Sequence, residues 1–206
     1  MWAIIIIGII FFIVIAFIQT KANSEKIKGK CAELKEKLTS TGFHIDKTIA
    51  LYGYADPEDS TIVSYTEDAP KFEIFFDVTN KKFAFSNYTN ELLKYFDFSS
   101  VIDCEIIEDN TTIMKGGIGR AVAGGILAGG VGALVGAGTR KSSDIVKIFQ
   151  VKIIFDNILE PLFTIELITQ NTKRDSVKYK NCFTFAQKVH ATMVSIINQN
   201  EKMSQI

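Results

Sequence analysis

The chain is poor in the side chains that build most catalytic centres. It has two histidines, His44 and His190, and three cysteines in 206 residues. Neither histidine stands at ligand spacing from a cysteine, so no metal-binding pattern is present. Cys31, Cys104 and Cys182 are odd in number and widely spaced, which excludes a disulfide framework and points to reduced, buried thiols. Lys and Arg together equal Asp and Glu at 23 each, for a formal net charge of zero. A nucleic-acid binder needs a surplus of basic residues on one face, so that class is not expected.

Nucleotide and catalytic motifs are missing too. A P-loop needs glycine directly before lysine, and in Gly138-Thr139-Arg140-Lys141-Ser142 two residues intervene. Gly117-Ile118-Gly119-Arg120-Ala121-Val122 puts valine where a dinucleotide fingerprint needs its last small residue. No Ser, Thr or Cys lies in a nucleophile motif. Asp103, Glu105, Glu108 and Asp109 alternate with apolar residues and read as the outer face of a strand. His190 reads as a structural histidine beside an apolar helix stripe. The expectation is a protein that is not an enzyme, with no catalytic, metal or cofactor site.

Charge is absent altogether from Trp2 to Ile18, WAIIIIGIIFFIVIAFI. As a helix this run would reach about 26 Å, slightly less than the roughly 30 Å hydrocarbon core, with Met1, Gln19 and Thr20 able to supply a further turn. A cleaved signal peptide would need a positive n-region and small residues at its end; neither is present. We therefore expect a transmembrane anchor over 1–20, inserted between Trp2 and Ile18. Lys21, Lys26, Lys28, Lys30, Lys35 and Lys37 follow it, and the positive-inside rule then places the bulk of the chain in the cytoplasm as a single-pass membrane protein.

Over 21–41, Ile27, Cys31, Leu34 and Leu38 recur at helical spacing, which predicts a juxtamembrane helix. From Gly42 the period becomes two. Phe72, Ile74, Phe76 and Val78 share a face opposite Lys71, Glu73 and Asp77, and Phe83 and Phe85 resume the alternation after a turn at Thr79–Lys82, so the pair reads as a hairpin. Further strands are predicted at Val101–Glu108, Thr111–Lys115, Ile145–Phe155 and Leu162–Ile168, with another in His44–Tyr54 and a loop over Pro57–Pro70. Cys182, Phe185, Val189, Met193, Ile196 and Ile197 mark a C-terminal amphipathic helix, followed by a flexible tail at 201–206. The fold class is mainly β: an antiparallel barrel or sandwich over 42–200, capped by that helix.

Within this pattern stand Phe72-Glu73-Ile74-Phe75-Phe76-Asp77, Asn80-Lys81-Lys82-Phe83-Ala84-Phe85, Phe96-Asp97-Phe98-Ser99-Ser100-Val101-Ile102-Asp103-Cys104-Glu105-Ile106-Ile107-Glu108-Asp109 and Lys115-Gly116-Gly117-Ile118-Gly119-Arg120-Ala121. Over Lys71–Asn198 the chain resembles the bacterial pleckstrin-homology-like domains of small uncharacterised membrane-associated proteins. The resemblance implies a pleckstrin-homology-like barrel with a glycine-rich insert. The short C-terminal oligomerisation helix of some relatives has no counterpart here.

Ten of the fourteen glycines fall in the insert at 116–138. Gly117, Ala121, Gly125, Gly129, Ala133 and Ala137 stand four apart, the small-xxx-small spacing that lets helices approach closely in lipid. Each glycine disfavours a helix in water by about 1 kcal/mol relative to alanine, so such a helix needs lipid or a partner. If the strands on either side belong to one barrel, a single crossing is excluded. A glycine-zipper hairpin, re-entrant or interfacial, is one reading, with Lys115, Arg120, Arg140 and Lys141 at lipid headgroups; a loop folded against the domain is the other. The function expected is that of a membrane-anchored binding or scaffolding protein, with the bilayer and either a membrane protein or another copy as partners. The alternative is an effector whose hairpins oligomerise and perturb the bilayer.

Overall fold

A computed structural model describes residues 2–52, 70–88, 91–117 and 144–204. The chain divides into two compact units, 1–96 and 97–206. The single β domain expected over 42–200 therefore has its strands in separate sheets.

Unit 1 begins with one helix, α1, Trp2–Ser40. Anchor and juxtamembrane helix were expected as distinct segments, yet no break separates them. Among the described residues no helix is long and apolar enough to cross a membrane. The apolar run is the first half of a longer amphiphile, and its seventeen residues fall short of a full hydrocarbon thickness. Ile7, Phe11 and Phe12 are exposed on it at 66, 66 and 74%.

After α1 comes an antiparallel sheet in the order β1 (Lys47–Tyr52), β2 (Pro70–Asp77), β3 (Lys82–Asn87) and β4 (Leu92–Asp97). The predicted hairpin is β2–β3, with Ile74 opposite Phe85 and Phe76 opposite Phe83. β4 carried no clean alternation in the sequence. Glu73 and Asp77, on the face opposite Phe72, Ile74 and Phe76, are both buried. The end of α1 lies over their side of the sheet: Leu38 forms a buried cluster with Phe43, Phe75 and Ala84.

Each buried carboxylate is provided with donors. Glu73 accepts hydrogen bonds from the Cys31 thiol at 3.2 Å, the Lys35 ammonium at 3.1 Å and the Tyr88 hydroxyl. Asp77 accepts from the backbone N–H groups of His44 and Asn80, both at 2.8 Å, and from the Asn80 amide at 2.7 Å. Burial pushes the Asp77 carboxyl up, but these donors outweigh it and hold it below the ordinary carboxylate range.

Unit 2 opens with a 3-10 turn at Phe98–Ser100 and an antiparallel sheet in the order β6-β5-β8-β9. Its strands are β5 (Val101–Glu108), β6 (Thr111–Gly117), β8 (Phe149–Phe155) and β9 (Leu162–Ile168); β5 and β9 match the predicted bounds. Asp109 and Asn110, both at positive φ, join β5 to β6 as a tight hairpin requires. The strand expected over Ile145–Phe155 is divided: β7, Ile145–Val146, pairs with β10, Thr172–Lys173. Helix α2, Val177–Ser204, lays Cys182, Phe185, Ala186, Val189, Met193 and Ile197 toward the core. It includes 201–204, which the sequence reading put in a flexible tail. Glu108, predicted to lie outside, is buried beneath α2, where the Tyr179 hydroxyl donates to it at 2.7 Å and Arg174 forms an ion pair with it.

Replacing Glu73 with alanine removes the carboxylate acceptor of the buried Cys31 and Tyr88 donors. We expect a loss of about 2–3 kcal/mol, read as a lower urea midpoint with unchanged slope, and a smaller loss for Glu73→Gln, which keeps an acceptor.

Candidate functional site

The sequence places the chain's distinctive chemistry around the glycine-rich insert, and the structure describes its two roots. Gly117 ends β6 opposite Asp103, near the start of β5. The chain returns at the other end of β5, where Phe149 pairs with Glu108 and the Asp109 carboxylate accepts the N–H groups of Lys147 and Ile148 at 2.8 and 2.9 Å. Asp144 is held there as well, through its carbonyl and the N–H of Arg174 at 2.9 Å. β6 and β8 both run antiparallel to β5 and hence parallel to each other. Gly117 on β6 and Phe149 on β8 therefore lie toward opposite ends of β5, about 17 Å apart along it at roughly 3.3 Å per residue from Asp103 to Glu108. The first strand after the insert, Ile145–Val146, pairs with Thr172–Lys173 in a separate two-stranded sheet, and only from Phe149 does the chain rejoin the sheet of β6.

Gly116 sits at the closest approach of β6 to α2. A Cβ built there would lie 2.3 Å from Val194 Cγ2 and 3.2 Å from His190 Nε2. Val194 is β-branched on a helix and has little rotamer freedom with which to give way. The first glycine of Lys-Gly-Gly is thus required by packing. His190 is 4% exposed, hydrogen-bonds the Cys104 backbone through its ring, and has no partner for Nε2 among the described residues. Burial pushes its pKa down, against the opposing pull of the Asp103 charge and that hydrogen bond.

Lys115, expected at lipid headgroups, stands opposite Glu105 in the β5–β6 ladder. Its ammonium pairs with the Glu105 carboxylate and lies 3.5 Å from that of Asp103. Trp2 and Ile18 are exposed on α1, at 81 and 60%. Arg120, Ala121, Gly125, Gly129, Ala133, Ala137, Arg140 and Lys141 lie outside the described residues.

Two buried thiols are held in their protonated form. Burial, and then the charge of Glu73, raise the Cys31 thiol pKa despite a hydrogen bond from Tyr88, which disfavours the nucleophilic thiolate. Cys104 is pushed up by burial and the carboxylates of Asp103 and Glu105. Among the described residues no three His, Cys, Asp or Glu side chains gather as metal ligands. Sequence reasoning missed a different feature. Ile158 and Leu159, at the β8–β9 turn, are 98 and 94% exposed. Two adjacent aliphatics inside turn chemistry were the available signal.

Two antiparallel four-stranded sheets, the second covered by a C-terminal helix and interrupted after β6 by a glycine-rich insert, fit a pleckstrin-homology-like architecture. The chain belongs to the family described as glycine zipper containing PH domain, whose model matches residues 60–169, just over half of the sequence. It is 29% identical over 199 residues to the SPbeta prophage-derived uncharacterized membrane protein YomJ of Bacillus subtilis (strain 168), covering 91% of this chain and 80% of that protein. It is likewise 29% identical to the protein named "Immunity protein" of Bacillus phage SPbeta, covering 91% of this chain and 90% of that protein. No solved structure matches the chain.

Two measurements check this packing. Gly116→Ala should destabilise unit 2 by about 1–3 kcal/mol through overpacking, and Val194→Ala should recover most of that loss in the double variant, read by chemical unfolding. His190 is held neutral, so the unfolded chain, with its pKa near 6.5, binds the proton more readily. Its stabilising contribution is complete above about pH 6.5 and declines as the pH falls from there toward the depressed folded value. The thermal midpoint should drop between pH 7 and 5, and His190→Gln should flatten that drop.

Proposed function

We propose that this protein is a membrane-anchored, non-enzymatic binding module, held by residues 2–18 with most of its mass on the cytoplasmic face of a bacterial membrane. The observation that carries the reading is the first half of α1. It exposes Ile, Val and Phe around its whole circumference, an arrangement untenable in water and suited to lipid. The lysines from Lys21 to Lys37 support the orientation, and the name of the relative YomJ, a membrane protein, supports the location.

The partner is a membrane protein or a second copy, and the surfaces offered are the edge strands of the two sheets, β1, β4, β6 and β9. Lipid contact by the glycine-rich insert belongs to the same reading. Because one relative is named "Immunity protein", a protective binder is favoured over an effector that permeabilises the bilayer. On that reading, liposomes carrying the full chain retain an entrapped dye.

The full chain is expected in the membrane fraction, resistant to alkaline extraction. The double variant Ile7→Lys, Ile10→Lys, which opposes insertion by about 3 kcal/mol per lysine, should be released. A wild-type chain free in the aqueous fraction without detergent would overturn the proposal.

A further inference from the structure

The β8–β9 turn presents Ile158 and Leu159 to solvent, and its backbone keeps them there. The Asn157 side-chain oxygen accepts the N–H groups of Leu159 at 2.9 Å and Glu160 at 3.4 Å. Below it, Phe155 N–H donates to the Pro161 carbonyl at 2.9 Å and Asp156 N–H to that of Ser100 at 2.8 Å. Such a braced turn cannot fold its apolar tips back onto the sheet. Leu162, 45% exposed, extends the patch into β9.

This end of unit 2 gathers other apolar features. Phe155 pairs with Val101, so the turn projects from the end of the sheet at which Gly117, opposite Asp103, leads into the glycine-rich insert. The last turns of α2 reach the same end, where the Asn200 amide donates to the carbonyl of Phe98 at 2.7 Å, and Met203, 59% exposed, follows.

We propose that the β8–β9 turn is a second, shallow membrane contact, in which Ile158 and Leu159 enter the interfacial layer of the bilayer. The inference rests on the anchoring proposed above. Two aliphatic side chains hold a free protein on a membrane only weakly, but a tethered domain meets the surface at high effective concentration and needs no more. The turn also specifies the kind of surface. Asp156 and Glu160 bracket the apolar pair and the turn contains no Lys or Arg, so the contact is apolar rather than electrostatic and weakens as the anionic lipid fraction rises.

Cys31, Cys104 and Cys182 are all buried, so an environment-sensitive fluorophore attached to the full-length Leu159→Cys variant reports the turn selectively. In phosphatidylcholine vesicles its emission should shift to the blue and be quenched more by shallow than by deep spin-labelled lipids. The same probe on Glu166→Cys, an exposed position on β9, should stay water-like. Raising the phosphatidylglycerol fraction should reduce the shift at 159. A chain that floats with the vesicles while the probe at 159 remains water-like overturns this proposal and leaves the anchor standing. A shift that follows the protein-to-lipid ratio assigns the turn to a second copy and also overturns it. A chain that does not float removes the anchor and this contact together.

Discussion

The close approach of α2 to β6 at Gly116 is the constraint on which unit 2 depends. An α-helix can lie against the sheet at that point only because no side chain stands between Val194 and the strand backbone. Once the helix is seated there, Val189 and Met193 fill the space over β5 and His190 meets the Cys104 backbone. The same position is the first residue of the glycine-rich insert. The opening glycine of the insert is therefore part of the core, and the distinctive composition of the family starts inside the folded domain.

Both units solve the problem of a buried glutamate in one way. Glu73 on β2 is satisfied by a tyrosine hydroxyl, a lysine and a thiol; Glu108 on β5 by a tyrosine hydroxyl and an arginine. In each case the donors come from elsewhere in the chain, with Lys35 on α1 and Tyr179 on α2. A buried ion pair is weak evidence of added stability, since apolar residues of similar volume can replace it at little loss. We take these clusters to specify where each helix sits on its sheet, because a slid helix would strand a charge in the core.

Much of the fold was legible because period-two alternation is a direct consequence of strand geometry. β5 and β9 emerged with their observed bounds, and the Asp109-Asn110 turn was evident from its residue types. β4 was missed because Leu92–Asp97 is mostly half-exposed and has no clean alternation. β10 was missed, and β7 was merged with β8 in one expected strand, because two-residue strands have no period to detect. Glu108 was assigned to the outside on polarity alone, and Glu73 and Asp77 were recognised only as sharing the polar face of β2. Alternation reveals which residues share a face, and only a second covered face, invisible along one strand, buries the polar set.

The sequence by itself determined that an uncharged apolar helix leads the chain, that antiparallel strands and a terminal amphipathic helix follow, and that a small-residue insert interrupts them. Those properties are local, carried by composition and by periods of 2.0 and 3.6 residues. The tertiary structure alone decided that the strands form separate sheets, that the insert leaves from a strand of one sheet and is followed by a strand of another, and that Ile158 and Leu159 stand exposed where that insert departs. Those properties depend on which segments meet across long separations in sequence, and pairwise contact leaves no periodic trace in the chain that makes it.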